Sequence, residues 1–415
     1  MTTEVGTNGN DFIQGSGSDI LVGRAGDDII VSGSGAGDHS LLLGQSGNDT
    51  LSAGAGNDVV LGGSGNDILY GGAGSAVLSG GAGNDYMDDA TSGHSVLTGG
   101  SGNDVIYGSG SDALRGDCGN DVLVSRSDAG DHALLDGGSG NDILFGGDGN
   151  DKLRGGSGDD QLNAGSGRQV LEGGSGDDLL NDFESGHSTL DGGSGDDTIY
   201  GSGSDKLLGD SGNDIIVSGS GAGDAARLDG GSGNDFLFGG AGDDTLIGGS
   251  GKDQLYAGSG SQVLWAGDGN DYLDDYHSGD TILHGGEGND TIYATGHDVV
   301  YGDGGNDLLM SASAAGDSVK FYGGDGADKL GAYGAGDDYF NGGAGNDFFV
   351  VHSHVGDSTI DGGSGYDKVL LDNRLFADAT ITHNAGETVV SFGDGQDLHL
   401  RSVEVLLFQD HGLLI

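Results

Sequence analysis

Apolar residues along this chain fall two places after an aspartate, again and again: Ile13 after Asp11, Leu21 after Asp19, Ile30 after Asp28, Leu51 after Asp49, Val60 after Asp58 and Leu69 after Asp67. Glycine-rich residues fill the intervals, so the stretch from Asp11 to Asp367 repeats the phrase G-G-x-G-N/D-D-x-U-x, with U apolar. Glycine tolerates positive φ and close backbone approach, which suits a turn, and three residues centred on U suit a minimal strand. Two turns and two short strands then make one coil of about 18 residues. A single coil cannot bury its own U side chains. Stacked coils can, by pointing U from each strand inward between two parallel sheets.

A second period lies above the first. The segments VSGSGAGDHSLL from Val31, VSRSDAGDHALL from Val124, VSGSGAGDAARL from Val217 and MSASAAGDSVKF from Met310 stand 93 residues apart. So do TSGHSVL, ESGHSTL and HSGDTIL, from Thr91, Glu184 and His277. Each such unit holds ten turns, hence five coils, so a turn keeps its edge of the solenoid from unit to unit.

Composition sharpens this picture. Among 415 residues there are 95 glycines, no proline and a formal net charge of −53, with 14 basic residues against 67 acidic ones. Glutamate occurs only at positions 4, 172, 184, 287, 387 and 404, so the acidity is almost wholly aspartate, a short carboxylate wanted at fixed backbone positions. Such a charge argues against nucleic acid and anionic membranes as partners and favours cations. Cys118 stands alone, so no intramolecular disulfide holds the fold. The start, MTTEVGTNGNDF, has neither a basic nor an apolar run, and no cleaved export signal is expected. No apolar run approaches the length of about 18 residues that a membrane span requires.

The phrases GGSGNDILYGG, GGSGNDILFGGDGNDKLRGG and GGAGDDTLIGGSGKDQL resemble the calcium-binding nonapeptide of the RTX (haemolysin-type) family of secreted proteins. The resemblance implies an all-β fold: a right-handed parallel β-roll of about twenty 18-residue coils. It also implies that Ca²⁺ lies between turns of consecutive coils on one edge, bound by the aspartate of each and by turn carbonyls. The chemistry agrees, since Ca²⁺ takes six to eight oxygens at about 2.3–2.6 Å.

A site between consecutive coils requires the turns to be sorted alternately. One edge then carries Asp11, Asp28, Asp49, Asp67, Asp85, Asp104, Asp121, Asp142, Asp160, Asp178, Asp197, Asp214, Asp235, Asp253, Asp271, Asp290, Asp307, Asp328, Asp347 and Asp367. The other carries Asp19, Ser40, Asp58, Ala76, Ser95, Asp112, Ala133, Asp151, Gln169, Ser188, Asp205, Ala226, Asp244, Gln262, Thr281, Asp298, Val319, Asp338 and Ser358, and never aspartate in two consecutive coils. The expectation is one calcium row of about nineteen ions along the first edge and no regular row along the second.

Other features stay open at this level. Tyr70, Tyr107, Phe145, Tyr200, Phe238, Tyr256 and Tyr293 follow U on first-edge strands and point outward, as a binding face or a shield for the sheet. His39, His94, His132, His187, His352 and His354 lie in loops and read as solvent-exposed or as metal or pH sensors. Asp38, Asp131, Asp224 and Asp317 are candidates to complete irregular calcium sites. No catalytic frame is present: no G-x-S-x-G, no H-E-x-x-H and no P-loop. The expected organisation is an N-terminal tail at 1–5, the roll at 6–371 and a cap at 372–415. In the last of these, TITH, TVVSF and DLHL alternate as a small antiparallel meander. That region is also similar in position to the secretion region of RTX exoproteins, which implies a type I secretion apparatus as partner and an extracellular or cell-surface location. The expected role is calcium binding and structural, with no enzyme activity. Calcium-dependent adhesion or surface-layer assembly is the alternative, and an RTX exoenzyme the least favoured.

Overall fold

The inward-pointing U residues set the architecture. In the computed structural model, which describes all residues except 1, 90–92, 185, 278, 313, 315 and 353–355, almost all strands are parallel and fall into two sets. Longer strands carry U in second place and continue into the glycine pair, as in Leu41–Ser46, Val59–Ser64 and Val77–Ala82. Three-residue strands carry U in the middle, as in Thr50–Ser52, Ile68–Tyr70 and Tyr86–Asp88. Long strands pair with long and short with short, always with U on U. Leu42 lies opposite Val60 and Val60 opposite Leu78, while Leu51 lies opposite Leu69 and Leu69 opposite Met87. This is the all-β parallel roll that the short period predicts.

The chain divides into two compact units, 1–208 and 209–415, and each repeats the plan. In the first, Leu21, Ile30, Leu42, Leu51, Val60 and Leu69 are wholly buried. Each buried aliphatic side chain contributes about 1.5–3 kcal/mol, and the stack of coils removes it from water where one coil could not. Thr3–Val5, read from sequence as a tail, pairs in parallel with Ile20–Ala25. In the second unit the same columns run through Leu228, Leu246 and Leu264 and thicken to Phe321, Phe340 and Phe349, with the first two rings stacked 5.4 Å apart.

Ala379–Asn384, Glu387–Phe392 and Asp397–Arg401 form the expected antiparallel meander. The third of these strands does more. It also pairs in parallel with Ser358–Asp361, and Val405–Phe408 pairs in parallel with Lys368–Asp372, so the C-terminal segment adds one further coil. Its alternation explains this: Leu398, Leu400, Leu406 and Phe408 face inward and are buried like U residues. Among the described residues no helix is long and apolar enough to cross a membrane.

Candidate metal centre

On the first edge each turn runs from the glycine pair of a long strand to the aspartate that precedes a short one. The side chain of that aspartate points into the turn. In the first unit the backbone N–H of Asp28 donates to Oδ1 of Asp49 at 2.7 Å, Asp49 to Asp67 at 2.8 Å and Asp67 to Asp85 at 2.8 Å, and the pattern continues to Asp178 and Asp197. In the second unit it runs from Asp214 through Asp235, Asp253, Asp271, Asp290, Asp307, Asp328 and Asp347 to Asp367. Within each unit the predicted aspartates thus stand in one row. Asp11 heads the first row, half-exposed, with its second oxygen held by the Thr7 hydroxyl at 2.9 Å.

The other carboxylate oxygen is the informative atom. In Asp28, Asp49, Asp67, Asp85, Asp104, Asp121, Asp142, Asp160 and Asp178 of the first unit, Oδ2 is buried and has no hydrogen-bond partner. The same holds for Asp253, Asp271, Asp290, Asp307, Asp328, Asp347 and Asp367 of the second. A lone buried carboxylate oxygen is costly, so burial pushes these groups up: Asp67, Asp104, Asp178, Asp253 and Asp290 to about 7, and Asp307 to about 8. Neighbouring carboxylates of the row add to the rise in each of these six.

The first glycine of the pair packs directly against that Oδ2, at every turn of the row but that of Asp271, which carries Ala266 there. A Cβ placed on Gly62 would meet Asp67 Oδ2 and lie 2.7 Å from the carbonyl oxygen of Gly80 in the next coil. On Gly99 it would meet Asp104 Oδ2 and lie 2.9 Å from Gly116 O. By lacking a Cβ the first glycine lets an anionic oxygen and a carbonyl oxygen of the next coil converge beside it, forming a cradle that a side chain would fill. Oxygen donors alone, two carboxylates per interval and converging carbonyls fit a hard cation of the Ca²⁺ type. No group of three or more His, Cys, Asp or Glu side chains able to hold one metal occurs among the described residues, so the donor set at each interval depends on backbone carbonyls.

Most of the second edge is filled from within the protein, although Asp182 and Asp275 there also keep a buried Oδ2 without a hydrogen-bond partner. Asp58 accepts from Ser40 N–H and from the Ser34 hydroxyl, one bond on each oxygen. Asp151 likewise accepts from Ala133 N–H and the Ser127 hydroxyl, and Asp244 from Ala226 N–H and the Ser220 hydroxyl. Asp19 is held well below the ordinary range, at about 2, by hydrogen bonds from Thr2 and Ser16. Burial still raises Asp112 and Asp151. At Gln169 an amide takes the place of a cation: Nε2 lies 3.2 Å from the carbonyl oxygens of Gly149 and Ser166 and 3.4 Å from that of Gly147. Gln262 Nε2 repeats this with Gly240 at 3.2 Å and Gly242 at 3.1 Å. Ala76 fills its turn without a polar group, and its N–H donates to the Ser95 hydroxyl at 2.9 Å.

Several loop residues take bland positions. Asp38, Asp131, Asp224 and Asp317 each accept from the N–H three residues back, at 2.9 Å, and so brace their own loops. His39 and His132 are exposed, with Nδ1 near the carbonyl oxygens of Asn57 and Asn150, and His94 and His187 are exposed as well. His352 pairs with Asp372 at 2.9 Å, and His354 lies outside the described residues. The outward aromatics stack along the sheet, as with Phe238 and Tyr256, centroids 4.9 Å apart.

Three features escape the motif. Asparagine or aspartate before most ladder aspartates forms an outer row of opposite direction, with Asn66 N–H donating to Asn48 Oδ1 and Asn84 N–H to Asn66 Oδ1. Asp182 and Asp275, 93 residues apart, are buried on the second edge near Asp205 and Asp298, carboxylates one coil on. Burial and the Asp275 charge push Asp298 up to about 8. Finally, Asp367 N–H donates to Glu404 Oε2 at 2.7 Å, so a residue outside the repeat continues the aspartate row. The recurring glutamine, asparagine and Asp182 positions were visible in the 93-residue period, whereas Glu404 carries no signal in sequence.

A search of curated proteins gives no match. Among solved structures, the chain is similar to one described as the X-ray crystal structure of a hyperactive, Ca²⁺-dependent, beta-helical antifreeze protein from an Antarctic bacterium. Sequence identity is 16%, coverage 98% of this chain and 94% of that one, and the TM-score 0.30. The family profile of the RTX calcium-binding nonapeptide repeat matches residues 5–37, 43–78, 69–88, 89–123, 136–168, 163–182, 184–203, 191–225, 229–261, 248–274, 277–309 and 334–350. These matches together span more than half of the chain, which therefore belongs to the RTX calcium-binding nonapeptide-repeat family.

Proposed function

We propose that this chain is a secreted structural roll, without catalytic activity, whose folding waits for Ca²⁺ bound along the aspartate edge only. The observation that carries the reading is the row of buried, unpartnered Oδ2 atoms, beside a first glycine at every turn of the row but that of Asp271, where Ala266 stands. Ionised carboxylates one coil apart repel, and a cation between them offsets both the repulsion and the cost of burial. The ligands would be the carboxylates taken in consecutive pairs within each compact unit, from Asp11 to Asp197 and from Asp214 to Asp367, with carbonyl oxygens of the glycine turns. Ca²⁺ supplies charge neutralisation and ties one coil to the next.

The charge of −53 gives the coupling a direction. At low cytosolic calcium the self-repelling chain stays open and can be threaded through a type I secretion channel, with residues 372–415 leading. At extracellular calcium of about 10⁻⁴–10⁻³ M the turns close. A calcium-dependent adhesin is the second reading. It draws on the stacked row Trp265, His284, Tyr301 and Tyr322 on one sheet face, with successive centroids 3.8, 4.4 and 5.0 Å apart.

The test is a calcium titration followed by circular dichroism together with bound-ion stoichiometry. Cooperative gain of β-structure with about nineteen ions supports the one-edge row, since twenty turns offer that many intervals. About thirty-five ions would mean that both edges bind. No gain of structure would remove the reading altogether. Sedimentation in calcium separates the two functions, a lone monomer counting against the adhesin.

A further inference from the structure

Along the aspartate edge each cradle is closed by two atoms of the next coil: a carboxylate at the aspartate position and the carbonyl oxygen of the first glycine. At Gly342 these are Asp367 and Gly362 O, since Asp347 N–H donates to Asp367 and a Cβ on Gly342 would lie 2.6 Å from Gly362 O. At Gly362 the repeat has ended, yet both atoms are still supplied. Glu404 accepts from Asp367 N–H, and Ser402 places its carbonyl oxygen against the Gly362 cradle where the next glycine would place its own.

The substitution has a geometric logic. From Gly362 to Asp367 the turn advances five residues, and from Ser402 to Glu404 only two, while Lys368 and Val405 are again in register. A turn three residues shorter brings the backbone less far into the edge, and the extra methylene of glutamate restores the reach. Arg401 pairs with Asp361, so Ser402 follows in the first-glycine position, and it is one of the few non-glycine residues at positive φ, +50°. Asp367 is itself wholly buried, and its Oδ2 points into this cradle without a hydrogen-bond partner.

We propose that Asp367 and Glu404, with the Ser402 carbonyl, form one more Ca²⁺ site at the end of the row, so that a single ion docks the non-repeat C-terminal segment onto the roll. The inference rests on the aspartate-edge reading above. Through this site, closure of the C-terminal coil and its Leu400, Leu406 and Phe408 becomes calcium-dependent, although that segment contains no calcium motif.

Hydrogen exchange of the full chain, titrated with calcium, reads the site locally in peptides covering 397–408, with peptides covering 59–88 as internal reference. Glu404→Gln keeps an oxygen that can accept from Asp367 N–H and loses the charge. It is expected to raise the calcium midpoint of protection in 397–408 by about tenfold, because calcium affinity follows the charge of the ligand set, and to leave 59–88 unchanged. Glu404→Asp keeps the charge and is expected to fall between wild type and Glu404→Gln. The reverse order, with Gln equal to Glu and Asp worse, would show a plain hydrogen-bond acceptor and overturn the site. If Glu404→Gln leaves 397–408 unprotected at every calcium concentration, Glu404→Asp must restore calcium-dependent protection there, and its failure also overturns the site. A wild-type chain in which neither region responds to calcium would instead strike the aspartate-edge reading itself.

Discussion

The N–H of Asp67 donates to Oδ1 of Asp85 across one coil at 2.8 Å, and the Oδ2 of each stays buried and unpartnered. One oxygen of every such carboxylate is thus spent on joining coils. The other is reserved. Substitution of Asp67 by asparagine separates the two tasks, because the amide oxygen can still accept from Asp49 N–H while the charge is gone. Asp67→Asn is expected to stabilise the calcium-free chain slightly and to weaken calcium binding at its two intervals by on the order of tenfold. A higher pH midpoint for loss of β-structure in chelator together with a lower unfolding temperature in calcium is the signature; a decrease in both would contradict it.

The cradle can be closed without touching any charge. Gly62→Ala places a methyl against Asp67 Oδ2 and 2.7 Å from Gly80 O, pushing apart two of the oxygens that would hold the ion. The expected cost is about 1–3 kcal/mol in calcium, with one interval no longer filled. Ion counting beside urea unfolding would show it, and an unaltered count would place the ion elsewhere.

Acidity substitutes for calcium in the metal-free protein. Asp67, Asp104, Asp178, Asp253 and Asp290 stand at about 7 in the folded state and Asp307 at about 8, above the ordinary value of 3.8, because burial disfavours the charge. The folded state therefore binds more protons than the unfolded one. Its stability is fully present below about pH 4 and is lost as pH rises through 6 to 8. Circular dichroism in chelator across pH 4 to 8 should show β-structure fading upward through that window, and saturating calcium should abolish the trend at neutral pH.

On the second edge the prediction is insensitivity to calcium. Gln169→Leu removes the amide that meets Gly147, Gly149 and Ser166 and leaves buried carbonyls unsatisfied. A loss of about 1–3 kcal/mol is expected, equal within error in saturating calcium at neutral pH and in chelator at about pH 4, where the calcium-free roll is folded. A loss seen only when calcium is present would reveal an ion on that edge.

Much of this was legible from spacing alone. The position of U two places after aspartate determined the strands, their inward face and the parallel stacking, because a nine-residue phrase can bury its apolar side chains in no other way. The 93-residue period separated an edge of uninterrupted aspartate from one where Ala76, Gln169 and Gln262 recur, and the two prove chemically different. Those conclusions depend on local geometry repeated many times, which is what a sequence pattern records. What a side chain does with each of its atoms was decided only in three dimensions. Composition does not reveal that Asp67 spends one oxygen on a neighbouring N–H and leaves the other bare, or that the Gln169 amide gathers carbonyls as a cation would. Glu404 is the clearest case. It stands 37 residues beyond Asp367 with no motif around it, and it joins the row because Asp397–Arg401 and Val405–Phe408 pair with the last coil. Long-range strand pairing brings it there, and no local pattern encodes that.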